Sequence, residues 1–268
     1  MEGAMEVNPC TAVPNTNDAS SAVRWCRTVE VGGVRYTRAV VRTQWIQPGD
    51  DLGHLLVSQL GPLLEEGDLA IVSEKAATIA EGLAIPARDV SAGSLATRLA
   101  AWVRPTDSSR GLSIPEKMEY VLREAGRSRV LFATATAALT RPLGLRGGFY
   151  FVAGRVARSM DGMRPPFEHM LIPPLTPRVA GALARSLADR LGWPVAIVDM
   201  NDRGGSIRTM SHRVISARRL RRVLSDNPLG QRDERTPIGI VRRLSPGALA
   251  PAAREPIDEL SHEVEQRV

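Results

Sequence analysis

Residues 194–208, PVAIVDMNDRGGSIR, decide how this chain is to be read. Val195, Ala196, Ile197 and Val198 make a short apolar run suited to a buried strand. The run stops on Asp199, Asn201 and Asp202, followed at once by Gly204 and Gly205. Two readings compete. Asp, Asn and Gly together compose turns. The same side chains, delivered at the carboxyl end of a strand beside glycines that allow close backbone approach, also suit a hard cation or a phosphate.

Working outward, RVAGALARSLADRLG (178–192) is a helix leading into this strand. SARRLRRVLSDNPLGQRDERTPIGIVRRL (216–244) gives a short basic helix, a polar loop holding Gly230, and a strand. Near the other end, VRWCRTVEVGGVRYTRAVVRTQWI (23–46) alternates around Gly32-Gly33 and predicts a hairpin. Asp50 and Asp51 cap a helix carrying Leu52, Leu55, Leu56 and Leu60 at helical spacing. LAIVS (69–73) is a buried strand with a charged continuation, and helices are expected at 95–103 and at 115–126, the latter opening on Pro115. RVLFATATAALT (129–140) and GLRGGFYFVAG (144–154) read as strands, and residues 155–177 as a long proline-rich loop. Strands interleaved with helices imply a mixed α/β fold, a mixed sheet with packed helices. The expected organisation is a disordered leader (1–22), one domain (23–245) and a polar tail (246–268).

Composition narrows the function classes. A 43% hydrophobic fraction with 24% charge is that of a folded, water-soluble chain. No apolar run is long enough to span a bilayer and the first residues lack a signal-peptide pattern, so a cytoplasmic location without a membrane partner is expected. Two cysteines, Cys10 and Cys26, are too few for a disulfide framework or a zinc site. The net charge of +6 invites a nucleic-acid reading, but only two of the 35 basic residues, Lys75 and Lys117, are lysine. So strong an arginine bias reflects codon preference, and 4% aromatics leave little for bases to stack on. Nucleic acid is therefore not an expected partner; a small anionic ligand such as a nucleotide fits the basicity equally well.

Chemistry gathers where apolar strands end in polar loops. Asp199, with Asn201 and Asp202, closes one strand. Asp161 lies in the long loop, and Asn227, Gln231, Asp233 and Glu234 surround Gly230. Oxygen donors without a His or Cys cluster suit magnesium or manganese, which ordinarily bridge nucleotide phosphates. Each of these stretches is also a turn by composition. Lys75, just past a strand end, is placed to neutralise phosphate charge, with Ser73 and Thr78 as hydroxyl donors; it would otherwise be a solvated lysine. His54 and His212 have no catalytic partner nearby in sequence, and the chain shows no P-loop, GxGxxG, GxSxG or HExxH pattern.

The order IQPGDDLGHLL, GDLAIVSEKAATIAEG, SMDG, VAIVD, LGQRDERTPIGIVR resembles the coenzyme F420-0:L-glutamate ligase family over most of residues 40–243, in a shorter, divergent branch. In those ligases GTP drives the joining of the glutamate amino group to a carboxylate on a deazaflavin phosphodiester, through an acyl phosphate and with magnesium or manganese. The resemblance implies a mixed α/β fold and a homodimer. It also implies that Asp161, Asp199 and Gln231 hold the metal, and that Ser73, Lys75, Thr78, Gly230 and Gln231 meet the nucleotide, with Glu81-Gly82 completing that segment. Asp202 or Glu234 is expected to deprotonate the incoming amine, on proximity in sequence alone.

Three departures stand out. Asp161 is followed by Gly162-Met163-Arg164, where the family has a serine and an asparagine. Met200 replaces a threonine, and the stretch between Asp199 and Gly230 is short. The expected function is a GTP- or ATP-dependent amide-bond ligase joining an amino acid, with glutamate the first candidate, to a small carboxylate acceptor. The alternative is a non-catalytic nucleotide-binding or regulatory protein on the same scaffold, which Met200 and the shortened stretch favour.

Overall fold

The computed structural model describes residues 23–103, 111–140, 142, 147–163, 167–201, 204–230 and 234–245; the expected leader and tail lie outside them. Along the chain come β1 (Val23–Val31), β2 (Val34–Val41), α1 (Leu52–Gln59), β3 (Leu69–Ser73), α2 (Glu74–Ala80) and β4 (Ile85–Pro86). A helical stretch follows: α3 (Ser94–Trp102), α4 (Pro115–Ala125), α5 (Arg127–Thr140), α6 (Gly148–Ala153) and α7 (Arg155–Ser159). The chain then runs through β5 (Asp161–Gly162), β6 (Met170–Ile172), α8 (Pro177–Leu191), β7 (Val195–Asn201), β8 (Gly204–Met210), α9 (Ala217–Val223) and β9 (Ile238–Arg243). The fold is mixed α/β, as the sequence implies.

The main sheet has the order β1-β2-β9-β3-β7-β8, and within it only β3 and β7 run parallel. Both are apolar and buried up to Val72 and Val198, because there both faces are covered. Ala70, Val72, Val195 and Ile197 pack beneath α1, α2 and α8, while Leu69, Ile71, Ala196 and Val198 pack with Leu220, Val223 and Leu224 at α9. That alternation is the period-2 pleat expressed as two cores. The parallel pair requires a crossover, and here it contains the whole helical stretch, which has a core of its own around Leu112, Met118, Val121, Leu122, Val130 and Ala133.

Local signals set the boundaries. Gly32 and Gly33, at φ +62° and +72°, make the turn between β1 and β2 with the positive dihedrals that a tight hairpin demands. Thr176 caps α8 by accepting from the Val179 amide at 3.3 Å, Pro177 opens the helix and Gly192 ends it at φ +76°. Asp51 caps α1, accepting from the His54 amide at 3.0 Å. At the sheet's back, fully buried Arg38 on β2 grips Asp226 through two bonds of 2.7 and 2.8 Å and donates to the Val223 carbonyl, tying α9 to the hairpin. Cys26, buried on β1, is disulfide-bonded, a single bond rather than a framework.

Three local expectations need correction. Residues 129–140 belong to a helix, not a strand, because the threonines that suggested a strand satisfy themselves within it. Thr134, Thr136 and Thr140 each donate to the carbonyl four residues back at 2.9 Å. Residues 148–153 are helical as well. The charged continuation after LAIVS is helix α2, built on EKAATIA. The stretch 155–177 is no simple loop: it contains α7 and the two strands β5 and β6, which form a small sheet with β4.

Candidate active site at the ends of the parallel strands

Strands β3 and β7 lie side by side with Ser73 opposite Val198, so their carboxyl ends open at the same edge. In open α/β sheets this edge is where ligands bind. From the end of β3 the chain turns directly into α2, presenting Glu74 and Lys75. From the end of β7 it turns into β8 through a hairpin in which Asp199 faces Ser206, Met200 faces Gly205 and Asn201 faces Gly204. The glycines of DMNDRGG therefore do serve a turn. A Cβ on Gly205 would collide with the Asp199 carbonyl and the Met200 backbone, so a bare glycine is needed there.

The turn and the site are the same device. Strand β8 carries a bulge: Ile207 pairs with Val198 and Thr209 with Ile197, leaving Arg208 between them. Ile207 and Met210 both pack into the α9-side core although three residues apart, which a regular strand would forbid and a bulge allows. The Arg208 guanidinium is then aimed across the strand ends. Its Nε donates to Glu74 Oε2 at 2.7 Å, and its Nη2 to Asp199 Oδ2 and to Ser159 Oγ, both at 2.5 Å. Arg208 and Glu74 are nearly sealed from solvent, with side chains 8% and 6% exposed.

Glu74 also accepts from the Leu175 amide at 2.9 Å. Burial raises its pKa above the ordinary carboxylate value and Asp199 adds to the rise, while the Arg208 charge pulls it back. Two residues beyond Ser159, Asp161 meets Lys75, with Nζ 2.5 Å from Oδ2. Asp161 is held tightly: its Oδ1 accepts from the Gly162 amide at 2.9 Å, and Gly162, at φ +86°, lies so close to the Met170 carbonyl that no side chain fits. The departure after Asp161 thus has a structural cause. Lys75, Asp161 and Asp199 each keep about a third of the side chain exposed (31%, 29% and 34%), so they are open to a ligand where Glu74 and Arg208 are not.

Of the residues expected at a site, Ser73, Lys75, Asp161 and Asp199 come together here, linked by Glu74, Arg208 and Ser159. Thr78 lies on the inner side of α2, fully buried, its hydroxyl donating to the Glu74 carbonyl at 2.9 Å. Gly230, at φ +72°, is covered by the Glu234 side chain. Their loop joins the same edge of the sheet, because the Ser73 amide donates to the Pro237 carbonyl at 2.8 Å. Asp202 and Gln231 lie outside the described residues. Among the described residues no three His, Cys, Asp or Glu side chains gather to hold a metal. Sequence reasoning missed Glu74, Ser159 and Arg208. Of these, Arg208 had a signal: two positions past Ser206 on the second arm of a glycine hairpin, it follows the residue facing Asp199.

The edge where the parallel strands end thus carries Lys75 and Asp199, with Asp161 of the small sheet brought against Lys75 and buried Arg208 bracing Asp199. The family model described as F420-0:Gamma-glutamyl ligase matches residues 40–216, about two thirds of the chain, and the chain belongs to that family. It is thus a member of a ligase family, whose substrates are small molecules. The matched span includes Ser73, Lys75, Asp161, Asp199 and Arg208 and ends before Gly230. A search of curated proteins finds no match. Among the described residues no helix is long and apolar enough to cross a membrane.

Proposed function

We propose that this protein is a nucleotide- and divalent-metal-dependent amide-bond ligase, joining an amino acid to a small carboxylate acceptor with GTP or ATP as the energy source. The observation that carries the reading, given the family, is the meeting of Lys75 with Asp161 beside Asp199 at the open edge of β3 and β7. In the first step an acceptor carboxylate oxygen bonds to the γ-phosphorus as the bond to the β–γ bridging oxygen breaks. This gives an acyl phosphate and the nucleoside diphosphate. In the second step the amine bonds to the acyl carbon, loses a proton and expels inorganic phosphate.

Lys75 supplies positive charge to the phosphoryl oxygens. Asp202 or Glu234 takes the amine proton. Asp161 and Asp199 would hold magnesium or manganese, with Gln231 as a further donor. Their hard oxygens suit such an ion, and each already faces a cation, the Lys75 ammonium or the Arg208 guanidinium. A bound ion would supply charge neutralisation at the triphosphate. Arg208 and Glu74 act behind these groups, fixing Asp199 and the start of α2.

Calorimetric titration with GTP and with ATP, each with and without manganese, tests the proposal. Metal-dependent binding of one nucleotide is expected, and no binding of either overturns it. A second reading, a nucleotide-binding protein without turnover, is favoured by the pairing of both aspartates with side-chain cations and by Met200 after Asp199. Phosphate release on adding glutamate and candidate acids separates the two.

A further inference from the structure

A cavity of about 330 Å³ lies against the segment that carries Ser159 and Asp161, lined by Gly111, Leu112, Tyr150, Ala157, Arg158 and Met160. Its walls come from the turn that leads into α4, from α6, and from α7 with the residue after it. The five residues from Ala157 to Asp161 therefore serve two places. Ser159 and Asp161 reach Arg208 and Lys75 at the edge of β3 and β7, while Ala157, Arg158 and Met160 line the cavity.

Leu112, Ala157 and Met160 are buried and make the walls largely apolar. Two polar groups are left over. Among the described residues, neither the hydroxyl of half-buried Tyr150 nor the guanidinium of exposed Arg158 has a hydrogen-bond or ion-pair partner. Burial pushes the Tyr150 phenol above its ordinary pKa, so the hydroxyl keeps its proton and remains a donor. Arg155, three residues before Arg158, and Arg129, beside Gly154, also have no carboxylate partner among the described residues. The local field is positive, and no acid of these segments competes for Arg158.

We infer that this cavity binds a small carboxylic acid with an apolar body. The carboxylate is held by Arg158 and the Tyr150 hydroxyl, and the body lies against Leu112, Ala157 and Met160. The donors select the charge, because a guanidinium has no acceptor and its planar fork matches a carboxylate through two bonds at once. The walls select the body, since a methionine thioether adapts its shape and favours contact with an aromatic ring. Inorganic phosphate would leave those walls unused. The volume selects the size, being at the small end of the roughly 300–1,000 Å³ usual for ligand sites. No residue lining the cavity is among those given to metal, nucleotide or amine, so the site stands apart from the ligase reading.

Calorimetric titration of the full chain with phenylacetate, without nucleotide or metal, is the test. Saturable binding of one molecule per chain is expected. Phenylacetamide, which keeps the ring and loses the charge, should bind at least about tenfold more weakly, and so should acetate, which keeps the charge and loses the ring. Arg158→Gln should weaken phenylacetate binding at least about tenfold and Tyr150→Phe by a smaller factor, whereas Arg218→Gln, on α9, should leave it unchanged. Asp161→Asn should hold the affinity within about twofold, because Asp161 faces Lys75 and not the cavity. Arg158→Gln should melt with the parent, since that side chain is exposed. Absence of saturable binding, or phenylacetamide or acetate binding as tightly as phenylacetate, overturns the inference. So does undiminished affinity in both Arg158→Gln and Tyr150→Phe, or its loss in Asp161→Asn, which would move the acid to the edge of β3 and β7.

Discussion

Arg208 and Asp199 are nine residues apart along the β7–β8 hairpin and 2.5 Å apart at their charged tips. The same guanidinium holds Glu74 on α2 and Ser159 beside β5, so one side chain fixes the relative positions of three separate segments. Its burial makes it costly to disturb. Arg208→Met should destabilise the protein by about 3–5 kcal/mol, because Glu74 is left as a buried charge without its partner. Glu74→Leu combined with Arg208→Met should recover much of that loss. Urea midpoints of the two variants and the parent decide it; if the double variant is no more stable than the single one, the pair is not the source of the cost.

The raised pKa of Glu74 gives a signed dependence on pH. With the folded value above the unfolded one, the folded state binds the proton more tightly in the interval between them. The contribution is therefore full below about 4.5, the unfolded value, and is lost as pH rises through the folded value. Glu74→Gln removes this titration. Relative to that variant, the parent should lose stability as pH climbs above about 4.5. Parallel curves of stability against pH for the two proteins would contradict it.

Gly162 should tolerate no side chain. Gly162→Ala forces a Cβ against the Met170 carbonyl at a φ of +86°. The β5–β6 pairing should loosen and carry Asp161 away from Lys75. A fall in melting temperature is expected, by several degrees for about 1–2 kcal/mol in a domain of this size. Weaker nucleotide binding should accompany it.

If the proposed function holds, Asp161→Asn and Asp199→Asn should each weaken metal-dependent nucleotide binding by about tenfold or more while leaving metal-free binding little changed. Lys75→Ala should weaken binding of the triphosphate more than that of the nucleoside. Calorimetry with manganese and with a chelator reads both. Unchanged affinity in the two Asn variants would remove these aspartates from any ligand site.

Much of the scaffold was readable from local chemistry. The apolar runs of β3 and β7, the Gly32-Gly33 turn, and the Thr176-Pro177 and Asp51 caps declare themselves without reference to distant residues. Helix α5 did not, because threonine favours strands until its hydroxyl finds a carbonyl four residues back, and that bond exists only once the helix has formed. The site was legible in part for the same reason. Lys75, Asp161 and Asp199 follow strand ends and polar loops visible in the sequence. Glu74 looks like any solvated glutamate at the start of a helix until β8 closes over it. Arg208 depends on a bulge that reconciles Ile207 with Met210, a demand set by the core beneath α9.

The parallel pairing of Ser73 with Val198 joins two strands that the chain separates by an excursion through all of α3–α7. Closing a loop costs only about 0.6 kcal/mol for each doubling of its length, so the size of that excursion weighs little on equilibrium stability. It weighs heavily on time, since distant strands must find each other before their contacts repay the closure. The edge formed by β3 and β7 is therefore expected to be among the last parts of the molecule to assemble. The helical excursion, folded around its own core, meets that edge at its end, where Ser159 accepts from Arg208.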